Sequence, residues 1–151
     1  MLTGSQWSLW PTIKWKINMD KTNHKKRILI VDDDAALVKT FRAMLMRHGY
    51  EVIEASNALP ALFRVVDGAP DLIIADINMP NMNGIELIQQ FKAHRDAQDI
   101  PVVVVTGSDS EETRKAAFDA GCTGYMTKPI EAEVFLAQIK RILEDTNRKK
   151  K

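Results

Sequence analysis

Four short runs of apolar, β-prone residues in this chain each end in side chains that could do chemistry. These side chains are Asp32 and Asp33, Asp76, Thr106 and Lys128. If the runs are parallel strands, their carboxyl ends meet at one edge of a sheet, which is where open α/β sheets bind ligands. The sequence therefore predicts one site that contains three carboxylates, a hydroxyl and an ammonium group.

Three carboxylates in one site repel one another, and they need compensation to stay ionised. Oxygen ligands of this kind suit a divalent cation such as Mg²⁺, which takes one or two carboxylates and keeps several waters. The Lys128 ammonium can meet an anion at the same place. The composition of the site predicts metal-assisted phosphoryl chemistry.

The order of secondary structure follows from an alternation of apolar runs with amphipathic stretches, which is typical of βαβ units and an α/β fold. The predicted strands are Arg27–Val31, Glu51–Ala55, Asp71–Ala75, Pro101–Val105 and Gly124–Thr127. The predicted helices are Ala35–His48, Asn57–Gly68, a stretch that contains Ile85, Leu87, Ile88 and Phe91, Ser108–Ala120 and Glu131–Glu144. We expect a five-stranded parallel sheet with helices on both faces.

Two helices differ in how much apolar surface they offer to the sheet. In the second predicted helix, Leu59, Leu62, Phe63 and Val66 recur at helical spacing and predict the core-facing side. The fourth predicted helix has few large apolar side chains beyond Phe118, which predicts looser packing.

Length and charge divide the chain of 151 residues into one domain, 27–145, an N-terminal extension, 1–26, and a basic tail, 146–151. The first 27 residues carry a net charge of +5 and the last seven carry +3, so with +1 overall residues 28–144 carry −7. The extension holds all three tryptophans without a sustained period, and we expect it to be disordered. Met19 offers a second plausible start, and the sequence leaves the choice open.

Several classes of protein are disfavoured by composition. A single cysteine, Cys122, excludes an internal disulfide and a multi-cysteine metal site. No apolar run approaches the roughly 20 residues of a membrane helix. The basic ends lack a DNA-binding module, so we expect no nucleic-acid or membrane partner and a cytoplasmic location.

The segments around the predicted site resemble the four signatures of the response-regulator receiver domain. They are Val31–Asp34, Asp76–Gly84, Val105–Gly107 and Tyr125–Pro129, in that order along the chain. The resemblance implies a flavodoxin-like strand order, 2-1-3-4-5. It also implies a cis peptide bond between Lys128 and Pro129.

The resemblance assigns a role to each site residue. Asp76 is the phosphoacceptor, Lys128 pairs with a phosphoryl oxygen, and the Thr106 hydroxyl closes on another. Tyr125 is an aromatic switch that turns inward when that hydroxyl moves.

The same resemblance supplies a ligand set for Mg²⁺. Asp33 binds the ion directly, Asp32 acts through a bound water, and Asp76 and the backbone carbonyl of Asn78 complete the protein's share. Asp34, by contrast, is expected to cap the first helix, since it lies just before it.

The function implied by the resemblance is that of a single-domain response regulator rather than an enzyme. A histidine kinase or histidine phosphotransfer protein would phosphorylate Asp76, and a protein target would bind the face of helix four, strand five and helix five. A monomer or a phosphorylation-dependent dimer is expected.

Two other functions stay open as alternatives. An aspartyl-nucleophile phosphatase would want a carboxylate two positions after Asp76, where this chain has Asn78. A phosphorylation-independent adaptor with the same fold would be expected to have lost part of the site. A flavin carrier is disfavoured, because the Asp32–Asp34 run would repel a phosphate.

Overall fold

Five parallel strands form one sheet in the computed structural model, which describes residues 25–79 and 83–149. The strands are β1 (Arg27–Val31), β2 (Glu51–Ala55), β3 (Leu72–Ala75), β4 (Val102–Thr106) and β5 (Gly124–Thr127). Their spatial order is β2-β1-β3-β4-β5, and all neighbours pair in parallel. The predicted order 2-1-3-4-5 is confirmed.

Five helices connect and follow the strands within the described residues. They are α1 (Ala35–Arg47), α2 (Ala58–Gly68), α3 (Gly84–Ala93), α4 (Glu111–Ala120) and α5 (Ala132–Lys149). Helices α2, α3 and α4 contribute to the hydrophobic cluster on one face of the sheet. Helices α1 and α5 contribute to the cluster on the other face.

The hydrophobic core consists of two clusters, one on each face of the sheet, because successive strand residues point to opposite faces. In β4, Val104 belongs to the cluster with α2, α3 and α4, whereas Val103 and Val105 belong to the cluster with α1 and α5. The rings of Phe41 and Phe135 stack with centroids 4.6 Å apart and join α1 to α5. A central strand buried on both faces explains the unbroken valine run.

Helix α1 begins where the sequence predicts it to begin. The Asp34 carboxylate accepts hydrogen bonds from the amides of Ala36 and Leu37, at 3.1 and 3.2 Å. The helix ends at Arg47, and Gly49 follows with a φ of +89°, a left-handed conformation that glycine adopts without strain. The predicted capping role of Asp34 is confirmed.

Strands β3 and β4 begin one residue later than the sequence predicts. Pro101 has no amide hydrogen to donate, and only its carbonyl pairs, with the Ile73 amide at 2.9 Å. Asp71 pairs with Arg27 twice, because its backbone amide donates to the Arg27 carbonyl at 2.7 Å and its side chain accepts from the Arg27 amide at 2.8 Å. Strand β4 also ends one residue later than predicted, at Thr106, which is in register with Thr127 of β5.

The predicted core face of the second helix is wrong in three of its four residues. Leu62 packs against the core, but Leu59, Phe63 and Val66 are exposed. The helix turns its small residues to the sheet instead, namely Ala58 and Ala61, together with Val65. Apolar residues surround most of this helix, so periodicity alone did not decide which side faces inward.

Helix α5 is longer than predicted, and the proposed tail is in part helical. It continues beyond Glu144 to Lys149, because neither glycine nor proline interrupts it. The Lys26 ammonium also donates to the Asn147 side chain at 3.2 Å. Residues 150 and 151 lie outside the described residues.

The predicted extension, 1–26, falls almost entirely on residues 1–24, which lie outside the described part of the chain. Lys26 already belongs to the edge of the sheet, since its carbonyl accepts from the Glu51 amide at 2.9 Å.

Among the helices of the described residues, none has the length and apolarity that crossing a membrane requires.

Cys122 is buried between α4 and β5, and burial raises the pKa of its thiol to about 11. The reactive thiolate forms only as the pH rises toward that value. At pH 8 we expect iodoacetamide to alkylate Cys122 about 100-fold more slowly than an unperturbed thiol. Intact-mass time courses of native and urea-unfolded protein measure this, and equal rates in the two states would contradict the prediction.

Candidate functional site

The carboxyl ends of four strands bring the predicted site residues to one edge of the sheet. Asp32 and Asp33 follow β1, Asp76 follows β3, Thr106 ends β4 and Lys128 follows β5. Backbone hydrogen bonds fix the segments against each other. The Asp76 amide donates to the Val31 carbonyl at 3.1 Å, and the Lys128 amide donates to the Thr106 carbonyl at 2.8 Å. The side chains are therefore placed by the sheet itself rather than by long loops.

Three carboxylates gather at this edge. One oxygen from each of Asp32, Asp33 and Asp76 lies within 4.8 Å of the others. Asp32 and Asp76 are buried, whereas Asp33 is exposed. Burial raises the pKa of Asp32 above its ordinary value, although the hydrogen bond from the Asp34 amide and the charge of Lys128 act in the opposite direction.

The Lys128 ammonium lies between the two buried carboxylates. Its Nζ is 3.0 Å from Asp76 Oδ2 and 3.3 Å from Asp32 Oδ2. Partial burial alone would lower the pKa of Lys128, but the hydrogen bonds and charges of Asp76 and Asp32 outweigh it and the pKa is raised. The lysine stays cationic and stabilises carboxylates that would otherwise repel each other.

Asp76 is held at both oxygens. Its Oδ1 accepts from the Asn78 amide at 3.0 Å, and its Oδ2 pairs with Lys128. The first residue of α3 packs against the backbone of the same segment, where the Gly84 amide donates to Ile77 at 2.7 Å. A β-carbon on Gly84 would collide with the Asp76 carbonyl oxygen, so only glycine permits this close approach.

Thr106 and Tyr125 are linked through one residue of the loop after β4. The Ser108 amide donates to Thr106 Oγ1 at 3.4 Å, and the Ser108 carbonyl accepts from the Tyr125 hydroxyl at 2.6 Å. Thr106 is fully buried. The two predicted residues therefore do not contact each other directly but share a partner.

The Tyr125 ring lies inward in this structure, which is the position that the family resemblance implies for the phosphorylated protein. It is 7% exposed, and burial raises the pKa of its hydroxyl. The Arg114 guanidinium lies 5.5 Å from the ring centroid and Phe118 packs 6.5 Å away. A cation over an aromatic face is attractive, so Arg114 stabilises the inward position.

The donor set fits a hard divalent cation. Three carboxylates face a single ammonium, which leaves negative charge for a further cation to balance. The side chain of Asn78 is exposed, and the predicted role of its carbonyl stays a prediction. The predicted cis bond between Lys128 and Pro129 is confirmed.

A cleft of about 540 Å³ opens beside the cluster, between α1 and the end of β2. Asp32 and Asp33 line it, together with Lys39 and Arg42 of α1. Asp76, which is 7% exposed, does not line this cleft.

Comparison with known proteins shows the family. The sequence model of the response regulator receiver domain matches residues 28–140, and the chain belongs to that family. The fold described above is that of a receiver.

Individual relatives support the same conclusion. The response regulator MprA of Mycobacterium leprae (strain TN) is 38% identical over 120 residues, which are 80% of this chain and 52% of that protein. MprA of Mycobacterium sp. (strain KMS) is 36% identical over 121 residues, with the same shares. The chain thus spans about half the length of the curated relatives that it matches.

Solved structures match over nearly their whole length. A CheY-like receiver domain protein from Methanospirillum hungatei JF-1 has a TM-score of 0.79 and 33% identity, covering 83% of this chain and 98% of that one. The chemotaxis protein CheY4 of Vibrio cholerae has a TM-score of 0.74 and 29% identity, covering 78% and 98%.

Three features of the site escaped the sequence analysis. The Ser108 carbonyl and the Arg114 side chain hold Tyr125, and Gly84 allows α3 to approach Asp76. Backbone partners and cation–aromatic contacts across elements leave no local pattern. The position of Gly84 after a turn-rich loop was the one available signal, since glycine often marks close backbone approach.

Alanine substitutions at Gly84 and Gly107 form a matched pair that tests the close approach of α3 to the backbone of Asp76. Gly84→Ala should lower the free energy of unfolding by about 1–3 kcal/mol, because the new methyl collides with backbone. Gly107→Ala meets open space and should change it by less than about 1 kcal/mol. Urea titrations of both variants measure the difference, and equal losses would refute the steric argument.

Proposed function

We propose that Asp76 accepts a phosphoryl group from a histidine kinase or a histidine phosphotransfer protein, and that the modification changes a protein-binding surface. The observation that carries the proposal is the Lys128 ammonium within 3.0 Å of Asp76 and 3.3 Å of Asp32. It already lies where a phosphoryl oxygen on Asp76 would need a positive partner. Response regulators as a family take part in two-component signalling, which supports this donor class.

The transfer itself requires little from the protein beyond positioning and charge. An oxygen of Asp76 attacks phosphorus, the P–N bond of the donor's phosphohistidine breaks, and an acyl phosphate forms. The departing imidazole nitrogen takes up a proton from water. Because Oδ1 accepts from the Asn78 amide and Oδ2 pairs with Lys128, the carboxylate is oriented before the donor arrives.

Asp32, Asp33 and Asp76 would hold Mg²⁺ in this proposal, with the backbone carbonyl of Asn78 as a further ligand. When bound, the ion neutralises the negative charge that accumulates between carboxylates and phosphoryl oxygens. The protein itself supplies a further positive charge, the Lys128 ammonium. With such an ion bound, the Lys128 ammonium would face less net negative charge around Asp76, and a dianionic group could approach the acidic cluster more favourably.

The signal would pass from Thr106 to Tyr125 through the hydrogen bonds that both residues make with Ser108, in the loop after β4. A phosphoryl oxygen on Asp76 attracts the Thr106 hydroxyl, which now accepts from the Ser108 amide. When that contact weakens, Ser108 shifts, and the Tyr125 hydroxyl, which donates to the Ser108 carbonyl, shifts with it. The equilibrium between two positions of the ring changes, as any population shift requires.

The surface that responds lies on α4, β5 and α5. Phe118 and Val134 are 42% and 48% exposed there. A groove of about 360 Å³ between β5 and the start of α5 is lined in part by Tyr125, Val134 and Gln138. A partner that prefers one position of Tyr125 would bind this face with phosphorylation-dependent affinity.

The other expectations about the whole protein stay predictions. They are action as a single-domain regulator without enzymatic turnover, a cytoplasmic location, no nucleic-acid or membrane partner, and a monomeric or phosphorylation-dependent dimeric state. The matched relatives are about twice as long as the matched segment, so their complete activity is not transferred to this chain.

Acetyl phosphate and Mg²⁺ should add one phosphoryl group to the parent chain, and chelation of the metal should prevent it. Asp76→Asn should show no addition by intact mass, because the nucleophilic oxygen is lost. Asp34→Asn is the matched control, since this neighbouring carboxylate caps α1 and should keep the reaction. Phosphorylation of Asp76→Asn at the parent's rate would refute the assignment.

Thr106→Ala should still accept the phosphoryl group but lose most of the phosphorylation-dependent change in amide chemical shifts over residues 108–128. The reason is that the hydroxyl is the first contact in the path to Ser108 and Tyr125. Thr127→Ala, the exposed neighbour in register on β5, should keep the full response. A complete shift pattern in phosphorylated Thr106→Ala would rule out the coupling.

A further inference from the structure

Helix α2 presents an apolar stripe that nothing in the described residues covers. Leu59 and Phe63 are each 64% exposed and Val66 is 52% exposed. Their spacing of four and three residues places them on one face of the helix. Together they expose about 300 Å² of apolar surface, within the range where such patches on a monomer are often functional.

The stripe contributes little to the core of the domain. Ala58, Ala61 and Val65 already fill the side of α2 that faces the sheet. Three large exposed side chains in a row lower solubility without stabilising the fold, which is a reason to expect an occupant. A shallow cleft of about 320 Å³ is lined by Leu59 and Phe63 of the stripe and is bordered by Arg64 and Asp67.

The chain enters the domain beside this helix. The Arg27 guanidinium donates to the Gly68 carbonyl, at the end of α2 and two residues beyond Val66. The preceding residue, Lys26, is fixed to β2 through its carbonyl. Residues 1–24 therefore join the described domain next to one end of the stripe.

The composition of residues 1–24 suits an apolar surface on an acidic domain. They contain all three tryptophans of the chain, Trp7, Trp10 and Trp15, together with three lysines and one aspartate. From Lys25 back to Trp15 the chain can span about 30 Å, whereas α2 is only about 16 Å long. The tryptophans can reach every part of the stripe.

We propose that the tryptophan-bearing segment, residues 1–24, docks on the α2 stripe of the same chain. The exposed area of about 300 Å² is well below the roughly 800 Å² per partner of a stable complex, which disfavours a second copy as the occupant. A tethered segment needs less area, because its effective concentration is on the order of millimolar. The proposal replaces the expectation that the extension is disordered.

Tryptophan fluorescence tests this directly, since the indoles all belong to the segment. In the parent chain, residues 1–151, emission should be blue-shifted relative to N-acetyltryptophanamide, and acrylamide should quench it less. Phe63→Asp should weaken docking at least about tenfold and move both signals toward the free indole. Met46→Asp, a matched change at a 53% exposed site on α1, should leave both signals unchanged.

Direct contacts in the parent chain make the test independent of how any variant folds. Nuclear Overhauser effects between indole protons and the Phe63 ring are expected. Their absence, parent emission equal to the free indole, or a blue shift that Phe63→Asp leaves in place would each overturn the proposal. A blue shift that appears only as the sedimentation coefficient rises with concentration would assign the stripe to a second copy and overturn it as well.

Discussion

The contact of one ammonium with two buried carboxylates is the interaction on which the rest of this structure depends. Parallel strands bring Asp32 and Asp76 to the same edge, where their charges would repel each other in a partly desolvated place. Lys128 lies between them and makes that arrangement stable. The same contact holds the end of β5 against β1 and β3, so the counter-charge serves both the fold and the proposed chemistry.

The rigidity of this edge contrasts with the loop beside it. Sheet hydrogen bonds fix Asp76 and Lys128, and the Gly84 approach fixes the start of α3. Helix α4, by contrast, buries a single residue, Ala117. A well-fixed acceptor next to a weakly packed helix is a sound basis for a switch, because the chemistry stays in place while the reporting surface can move.

The strands and the site could be predicted because their signals are local. A run such as Val102–Val105 followed by Thr106 shows both the strand and the residue that it positions. The orientation of α2 could not be predicted, because apolar residues lie on most of its sides. The side that packs against the sheet carries the small residues Ala58 and Ala61. The predicted end of α5 at Glu144 was wrong, because no later residue stops the helix. A hydrogen bond from Lys26 to Asn147 also supports its last turns.

The contact between Lys26 and Asn147 also brings the two ends of the folded unit to one pole. This pole is the amino edge of the sheet, the side away from Asp76. Neighbouring ends are the geometric condition for circular permutation, so a short linker could join them while new ends open in a surface loop. A fluorescent or affinity domain fused at either end would accordingly be held clear of the acidic edge.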